Sequence, residues 1–302
     1  VDVKTIFKIR KFLKSNNINI VHTHNYKSDI LGFCATWNIK TKWMATNHVW
    51  HGLDSKLRLY EKIDAFILRF AAHVVAVSDE IKSELKTKNI SEAKTSLIDN
   101  GIDIDQFGQI QHVEKIKADL GLGKDDFVIS IAGRLSPEKG HQTFLQAARQ
   151  VLQEKPGVKF LIVGDGPIKQ DLKNQAAKLQ LNGQVIFTGV RTDMPAVYAA
   201  SDILVNTSSI EGLPMTMLEA MAAKVALIVT PVGAVPNVIE HNANGIIVAV
   251  EDHQRLANEI CTLIENAEKR QAIVDQAYDT VCQKFSSETM AIQYLKIYHQ
   301  II

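Results

Sequence analysis

Short apolar runs alternate with helical patterns along the whole 302-residue chain, and this alternation constrains the fold most. Runs such as Phe127–Ala132 and Ala226–Val229 are apolar at successive positions rather than at every second one. Strands of this kind are buried on both faces, as in parallel sheets whose strands are joined by helices. The pattern therefore predicts an α/β fold built from parallel sheets.

The alternation occurs in two series separated by a linker-like stretch. The first series predicts strands at Ile20–His22, Trp43–Thr46, Val74–Val77 and Ser96–Ile98. The second predicts strands at Phe127–Ala132, Val158–Val163, Val185–Thr188, Ile203–Val205, Ala226–Val229 and Gly245–Val248. We predict a first domain at residues 1–107 and a six-stranded, doubly wound second domain at residues 108–285. The last segment, residues 286–302, is apolar on more than one side, and we expect it to pack back on the first domain.

Composition excludes some classes of protein. Hydrophobic residues make up 46% and charged residues 22% of the chain, as in a soluble globular protein. The net charge of +1 gives no reason to expect a nucleic-acid partner. Cys34, Cys261 and Cys282 lack metal-ligand spacing, so a reducing, cytoplasmic location is expected. No apolar run approaches the ~20 residues that span a bilayer.

Loops that contain polar and charged residues follow the strands of the second domain. They read GRLSPEKG, GDGP, TGVRTD, NTSSIEGLP and TPVGAVP in chain order. Ligands of open parallel sheets bind beyond the carboxyl ends of the strands. We therefore expect these loops to face one cleft.

Two carboxylates, Glu211 and Glu219, bracket the start of a predicted helix at Thr216–Ala223. The amide groups of a first helical turn lack acceptors within the helix and carry partial positive charge, so they hold anions such as phosphate. Carboxylates beside them can accept hydrogen bonds from hydroxyl groups. A phosphate combined with several hydroxyls describes a nucleotide sugar.

Two cations, Arg134 and Lys139, lie five residues apart in the loop GRLSPEKG. A guanidinium binds phosphate oxygens bidentately, and an ammonium adds a mobile point charge. Together they could neutralise a diphosphate without a metal. The alternative is a strand-to-helix turn with solvated basic side chains.

Three other patterns each have a structural and a functional interpretation. The GDGP loop is either a tight turn or a close approach of backbone to ligand. Asp103 and Asp105 spell a D-x-D sequence, which is either a capped turn or a divalent-cation site. The lysines of the first helix form either a solvated face or a contact with anionic lipid headgroups.

Histidines cluster near the strand ends of the first domain, in VHTHN and ATNHVWHG. His22 and His24 alternate on one strand and could face one metal, although no carboxylate or cysteine lies at matching spacing. His48 follows a strand and is interpreted as a residue of the cleft.

Together these motifs resemble those of retaining glycosyltransferases of family four. Glu211 and Glu219 match the E-x7-E motif, and GRLSPEKG, VGDGP and NGID are also similar to that family. The resemblance runs over nearly the whole chain. It implies a GT-B-like fold of two Rossmann-like domains that face a cleft, with the donor held mainly by the second.

The resemblance also implies roles for individual residues. Arg134 and Lys139 would bind the diphosphate, Glu219 the ribose hydroxyls and Glu211 the transferred sugar. The segment from Gly189 to Arg191 would lie beside the base, and His48 near the reacting sugar. The remaining residues implied for the donor are Gly133, Gly212, Leu213, Pro214, Met215 and Thr216.

The sequence departs from the family at several positions. Lys224 and Ala226 replace a usual glycine and proline, and Gly233, Ala234 and Asn237 stand for the family's Gly-Gly and Glu. The family opens with a strand and a Gly-rich loop, whereas this sequence opens on a helix. We therefore expect the first domain to be truncated by about two βα units, or roughly 60 residues, and hypothesise that the chain binds nucleotide but turns over poorly.

The resulting prediction is a metal-independent hexosyltransferase that moves a sugar from a nucleotide-diphosphate sugar to an acceptor hydroxyl with retention. No cofactor is expected. The acceptor would be a sugar, a lipid-linked or a small molecule in polysaccharide or glycolipid synthesis, at the inner face of a membrane. The alternatives are a non-catalytic nucleotide-sugar-binding subunit, an epimerase, and a nicotinamide dehydrogenase, the last disfavoured because GxGxxG is missing.

Overall fold

The computed structural model describes residues 2–48, 55–108 and 110–302. The chain forms two compact units, one of Val1–Asn100 with Glu288–Ile302 and the other of Gly101–Ser287. Among the described strands, each unit has one parallel sheet.

The sheet of the first unit has the order β1-β2-β3-β4. Its strands are β1 (Ile20–His24), β2 (Lys42–Asn47), β3 (His73–Ala76) and β4 (Thr95–Leu97). Its helices are α1 (Val3–Ser15), α2 (Tyr26–Thr36), α3 (Ser55–Ile67), α4 (Asp79–Thr87) and, from the chain's end, α13 (Ser287–Ile301). The strands lie side by side in chain order, so the chain winds in one direction through the described strands of this sheet.

The two faces of this sheet are covered differently. Strand–helix–strand connections are right-handed, which places α2, α3 and α4 on one face. Met44 and Val75 point to the other face, where they pack with Ile297 of α13. The last helix is therefore part of the first unit.

The boundary between the units differs from the predicted one at residues 107 and 108. Residues 101–107 belong to the second unit. The Ile102 amide donates to the Phe285 carbonyl at 2.9 Å, and the Ser287 amide donates to the Ile102 carbonyl at 2.7 Å. The Phe107 ring lies 6.0 Å from the ring of Tyr198. These contacts hold the segment against the second unit.

The sheet of the second unit has the order β10-β9-β8-β5-β6-β7. Its strands are β5 (Val128–Ala132), β6 (Lys159–Val163), β7 (Val185–Gly189), β8 (Ile203–Asn206), β9 (Ala226–Val229) and β10 (Ile246–Ile247). Its helices are α5 (Val113–Asp119), α6 (His141–Glu154), α7 (Lys169–Lys178), α8 (Met194–Ala199), α9 (Met215–Ala222), α10 (Val235–Val238), α11 (His253–Glu265) and α12 (Ala267–Lys284). The chain reverses its direction of winding between β5 and β8, as in a Rossmann sheet.

The core of the second unit explains the apolar runs of the sequence. All residues of β8 and β9 are buried. Phe144 of α6 and Phe160 of β6 are fully buried and pack edge to face at 5.6 Å. Each buried side chain of this size contributes about 1.5–3 kcal/mol, so the core fixes the strand ends that carry the polar loops.

Candidate functional site

The loops after β5 and β8 lie where the winding of the second sheet reverses. β5 and β8 are hydrogen-bonded neighbours, and the chain leaves them in opposite directions along the sheet. A crevice forms at such a point beyond the carboxyl ends of the strands. Residues 133–140 follow β5 and residues 207–214 follow β8, so the structure brings the two predicted motifs together.

An ion pair joins these two loops. The Lys139 ammonium forms a salt bridge with Oε1 of Glu211, and the two side chains are 28% and 14% exposed. The buried Ser208 hydroxyl donates to the same oxygen at 2.8 Å. Lys139 and Glu211 thus hold each other at the crevice, where a phosphate and a sugar hydroxyl could replace them as partners.

Direct backbone contact keeps the loops close. The Thr207 hydroxyl donates to the carbonyl oxygens of Lys139 and Gly140 at 3.2 and 3.0 Å. Gly140 has a φ of +69°, and a Cβ atom there would lie 2.1 Å from the Thr207 carbonyl oxygen. Only glycine fits, because it has no Cβ and adopts positive φ freely.

Gly233 supports the Glu211 loop from behind in the same way. Its φ is +55°, and a Cβ atom would lie 2.2 Å from the Gly212 carbonyl oxygen and 2.3 Å from that of Glu211. The Ala234 amide donates to the Gly212 carbonyl at 2.9 Å. This chain therefore keeps one glycine of the family's Gly-Gly pair. It is Gly233, where the packing leaves no room for a side chain.

Helix α9 begins at the end of the Glu211 loop, with Pro214 as its N-terminal cap. Pro214 is buried and Leu213 packs against the core cluster of this helix, whereas Met215 is 37% exposed. The Met217 amide donates to the Pro214 carbonyl at 3.1 Å, so hydrogen bonding within the helix starts there. The amides of Met215 and Thr216 precede it and are available to an anion.

Glu219 is anchored by a residue that the sequence did not indicate. The Tyr198 hydroxyl donates to Oε2 of Glu219 at 2.6 Å. Burial, followed by the Glu219 charge, raises the pKa of Tyr198, so the tyrosine remains a donor. The bond fixes the orientation of a half-buried carboxylate.

The remaining predicted donor residues differ in their surroundings. Arg134 is exposed, and its guanidinium forms no hydrogen bond or salt bridge with the part of the chain that the structure describes. The Gly133 amide donates to the Val163 carbonyl, and the Gly164 amide donates to the Gly189 carbonyl, which ties three strand ends together. The Arg134 guanidinium is therefore free to bind an anionic ligand, whereas the glycines connect the strand ends.

Arg191 is already paired. Its Nε and Nη2 atoms donate to the two carboxylate oxygens of Asp193 at 2.8 and 2.5 Å. The guanidinium is therefore held within its own loop, and the backbone beside Gly189, together with the 72%-exposed side chain of Val190, is what this loop presents.

His141 follows the Arg134–Gly140 loop, at the start of α6. It is 1% exposed, and neither ring nitrogen has a hydrogen-bond partner among the described residues. Burial, with a smaller effect of the Lys139 charge, lowers its pKa to about 4. The ring is therefore neutral at physiological pH.

A second cluster of polar side chains lies in the first unit, at the carboxyl ends of β1 and β2. Nδ1 of His24 lies 3.2 Å from Nε2 of His48, so one ring donates a hydrogen bond to the other. The His22 and His24 rings are 4.4 Å apart. The structure thus brings His48 and His24 together, within the histidine cluster that the sequence indicated.

Helix α13 completes this cluster. The two ring nitrogens of His22 lie 2.7 Å from the Tyr298 hydroxyl and 2.7 Å from the Thr46 hydroxyl. Burial, with the neighbouring imidazoles, lowers the pKa of His22 to about 4, and burial also lowers the pKa of His24 and His48. His51 of the same sequence motif lies outside the described residues.

The described residues contain neither a metal cluster nor a membrane-spanning helix. Within residues 2–48, 55–108 and 110–302, no group of three or more His, Cys, Asp or Glu has the arrangement of a metal site. Asp103 caps a short 3-10 helix and accepts from the Asp105 amide at 3.2 Å, as in the capped-turn interpretation. No helix in the described part of the chain is both long and apolar enough to span a membrane.

Comparison with known families identifies both halves of the chain. The sequence profile of glycosyl transferases group 1 matches residues 112–280, and that of glycosyltransferase family 4 matches residues 1–106. A UDP-Gal:alpha-D-GlcNAc-diphosphoundecaprenol alpha-1,3-galactosyltransferase of Escherichia coli is 28% identical over 277 residues, which are 88% of this chain and 71% of that protein. The chain spans 49% of the length of an N-acetyl-alpha-D-glucosaminyl L-malate synthase of Bacillus anthracis and 76% of that of a glycosyltransferase of Methanocaldococcus jannaschii.

Solved structures share the fold. A glycosyltransferase of Rickettsia africae has a TM-score of 0.84 and 25% identity over 99% of this chain and 81% of its own. Anabaena Alr3699/HepE, solved with UDP and glucose, has a TM-score of 0.82 and 24% identity over 96% and 80% of the two chains. The predicted two-domain α/β GT-B fold with parallel sheets is confirmed by these similarities.

Proposed function

The chain belongs to the family of glycosyl transferases group 1, and from this premise we propose that it transfers a hexose from a UDP-sugar to an acceptor hydroxyl with retention of configuration and without a metal. The observation that carries the proposal is the Lys139–Glu211 pair, which joins the loops after β5 and β8. It sets a phosphate-binding cation beside a hydroxyl-binding carboxylate.

The donor would occupy the crevice of the second unit. Arg134 and Lys139 would neutralise the diphosphate, supported by the free amides at the start of α9. Glu211, released from Lys139, would accept hydrogen bonds from the sugar, and Glu219, held by Tyr198, would accept from the ribose. The backbone from Gly189 to Arg191 would lie against the base.

The chemistry would rest on charge that appears only as the sugar–phosphate bond breaks. Negative charge would grow on the departing diphosphate, where Arg134, Lys139 and the helix amides would stabilise it. The acceptor hydroxyl would attack from the side of the leaving group and give its proton to the phosphate. In this scheme Glu211 orients the sugar through hydrogen bonds and forms no covalent bond to it.

The acceptor is proposed from a relative. The Escherichia coli galactosyltransferase is named for an acceptor linked to diphosphoundecaprenol. We propose a lipid-linked acceptor for this chain also. Such an acceptor would bring the protein to the surface of a membrane.

The test is sugar transfer from UDP-galactose and UDP-glucose to a lipid diphosphate-linked sugar, with the new anomeric centre assigned by NMR. We expect the α anomer of the donor to be kept and EDTA to have no effect. Lys139→Ala should lower kcat/KM by ~10²–10³, as the loss of an oxyanion donor does. Lys155→Ala, which removes a Lys–Glu pair at the other end of α6, is the matched control.

Each part of the proposal can fail separately. An inverted product would contradict retention, and inhibition by EDTA that added cation restores would contradict metal independence. UDP-sugar binding without any transfer would favour the alternative of a non-catalytic nucleotide-sugar-binding subunit.

A further inference from the structure

Helix α3 carries apolar side chains on a face that its own unit does not cover. Leu59, Ile63 and Phe66, with Phe70 in the 3-10 turn that follows, are 59%, 38%, 55% and 54% exposed. Their spacing of four, three and four residues places them in one row. The opposite side of the same segment supplies the buried residues Ala65, Ile67 and Leu68. Core packing therefore does not explain the outward row.

The row continues across the neighbouring helix as a chain of aromatic rings. The Phe66 and Phe70 rings are 5.5 Å apart, Phe70 lies 5.6 Å from Phe33, and Phe33 lies 5.3 Å from Trp37. Trp37, at the end of α2, is 59% exposed. We call Trp37, Ile63, Phe66 and Phe70 the aromatic face.

Basic side chains border the aromatic face. Lys62 is exposed and lies four residues before Phe66, and the Arg69 guanidinium lies 6.0 Å from the Phe66 ring. Two nearby carboxyl groups, Asp29 and Asp64, are fully buried and turned away from solvent. Lys62 and Arg69 therefore place positive charge beside the exposed rings.

Helix α1 also combines an exposed aromatic ring with basic side chains. Arg10 donates to the Trp37 carbonyl at 2.6 Å, which joins α1 to the end of the aromatic face. On α1 the 67%-exposed Phe7 has Lys4, Lys11 and Lys14 at helical spacings of three, four and seven residues. The first turn of α1 contains no acidic residue.

We propose that the aromatic face, with the basic residues around it, docks this protein on the surface of an anionic lipid bilayer. Aromatic and aliphatic side chains enter the headgroup region, while lysine and arginine bind anionic headgroups. A second copy of the chain fits this face poorly, because two positive faces would repel each other. The proposal rests on the proposed function in one respect, since a lipid-linked acceptor would lie in that bilayer.

The sequence had placed any lipid contact on the lysines of α1 alone. The structure adds a wider surface, since the exposed rings lie at the end of α2, on α3 and in the 3-10 turn after α3. Electrostatic attraction alone is lost in high salt, whereas inserted rings keep part of the binding. The two interpretations therefore make different predictions.

The test is co-sedimentation of the full 302-residue chain with vesicles of phosphatidylglycerol and phosphatidylcholine, or of phosphatidylcholine alone, without nucleotide. We expect partition to the anionic vesicles to exceed that to the neutral ones by at least about tenfold. Phe66→Asp/Phe70→Asp should reduce it by roughly tenfold or more, because apolar insertion is lost and charge is added. Ile292→Asp, at a 54%-exposed position of α13, is the matched control and should bind like wild type.

Lys62→Glu gives a second variant that disturbs no packing, and it should weaken binding while leaving the fold intact. Equal partition of wild type to both vesicle types would overturn the proposal, as would unchanged binding by the phenylalanine variant. A wild-type dimer that Phe66→Asp/Phe70→Asp converts to monomer, with no vesicle binding by either, would assign the face to a second copy instead. UDP binding by the same preparations, measured by calorimetry, separates failure of docking from failure of the proposed function.

Discussion

The polar groups at the strand ends of the two units are organised in different ways. In the second unit, Lys139 and Glu211 form a salt bridge between two loops that glycine packing holds together. In the first, His24 and His48 share a hydrogen bond, His22 bonds the hydroxyls of Tyr298 and Thr46, and burial lowers the pKa of all three rings. One site offers charges and the other offers neutral imidazoles.

The difference corresponds to the ligands that each site suits. A diphosphate needs cations and free amides, and its charge rises during transfer, so charged groups are useful there. A neutral imidazole donates and accepts single hydrogen bonds, which suits hydroxyl groups. The first unit also keeps a carboxyl group neutral, because burial and the neighbouring Asp64 raise the pKa of Asp29 to about 8.

Gly233→Ala should break the charged site most severely. The new Cβ atom would meet the carbonyl oxygens of Glu211 and Gly212, and a positive φ also disfavours alanine. We expect a loss of about 3 kcal/mol in unfolding free energy of the second unit and at least tenfold weaker UDP binding. Gly183→Ala is the control, since its φ is +80° with nothing within 4 Å, and it should cost only about 1 kcal/mol. Equal effects of the two variants in urea unfolding would contradict the packing argument.

Asp29→Asn tests whether the first unit depends on neutral groups. Asp29 has a folded pKa of about 8 against an ordinary value of 3.8, so the wild-type protein loses stability as pH rises from about 4 through about 8. An asparagine carries no such penalty. We expect the variant to be more stable than wild type at pH 8.5, with the difference shrinking as pH falls toward 4. Hydrogen exchange of the α2 and α3 amides measures this, and a pH-independent difference would refute it.

Tyr198→Phe should produce the smallest effect, because it removes one hydrogen bond and little packing. Glu219 would lose the donor at 2.6 Å that orients it. We expect roughly threefold to tenfold weaker UDP binding and about 1 kcal/mol of stability lost. Uridine and UMP should show the same relative loss, since the effect concerns the ribose. A loss confined to the sugar part of the donor would instead place Glu219 beside the hexose.

The sheets were predictable because a strand buried on both faces is apolar at successive positions of the sequence. All ten strands in the described part of the chain, from β1 to β10, overlap their predicted positions. The loops at the switch point were predictable as well, because strand order and the position of strand ends determine which loops meet. The sequence alone therefore predicts that one crevice contains Arg134, Lys139 and Glu211.

Partners distant in sequence were not predictable. His22 and Tyr298 are separated by 276 residues, and their contact depends on where α13 packs. Tyr198 lies inside an ordinary apolar helix, and nothing in its surroundings indicates Glu219. The boundary at residues 107 and 108 was misplaced because Ile102 pairs with Phe285, a contact that no local pattern contains.

One departure from the family has a structural consequence. Lys224 stands where a glycine is usual, and its φ is +57°, so it adopts a conformation that glycine adopts freely. Its ammonium lies 4.4 Å from the centre of the Tyr278 ring, a contact that glycine could not make. That contact offsets part of the cost of the backbone conformation.

The central claim is that the switch point of the second unit binds the diphosphate of a UDP-sugar. Calorimetric titration of the chain with UDP tests it most directly, with Lys139→Ala and Arg134→Ala compared against Lys155→Ala. The account predicts that wild type and Lys155→Ala bind UDP alike, and that each of the other two variants binds at least about tenfold more weakly, as loss of a charge-assisted contact implies. Equal UDP affinity in all four proteins, or no UDP binding by wild type, would contradict it.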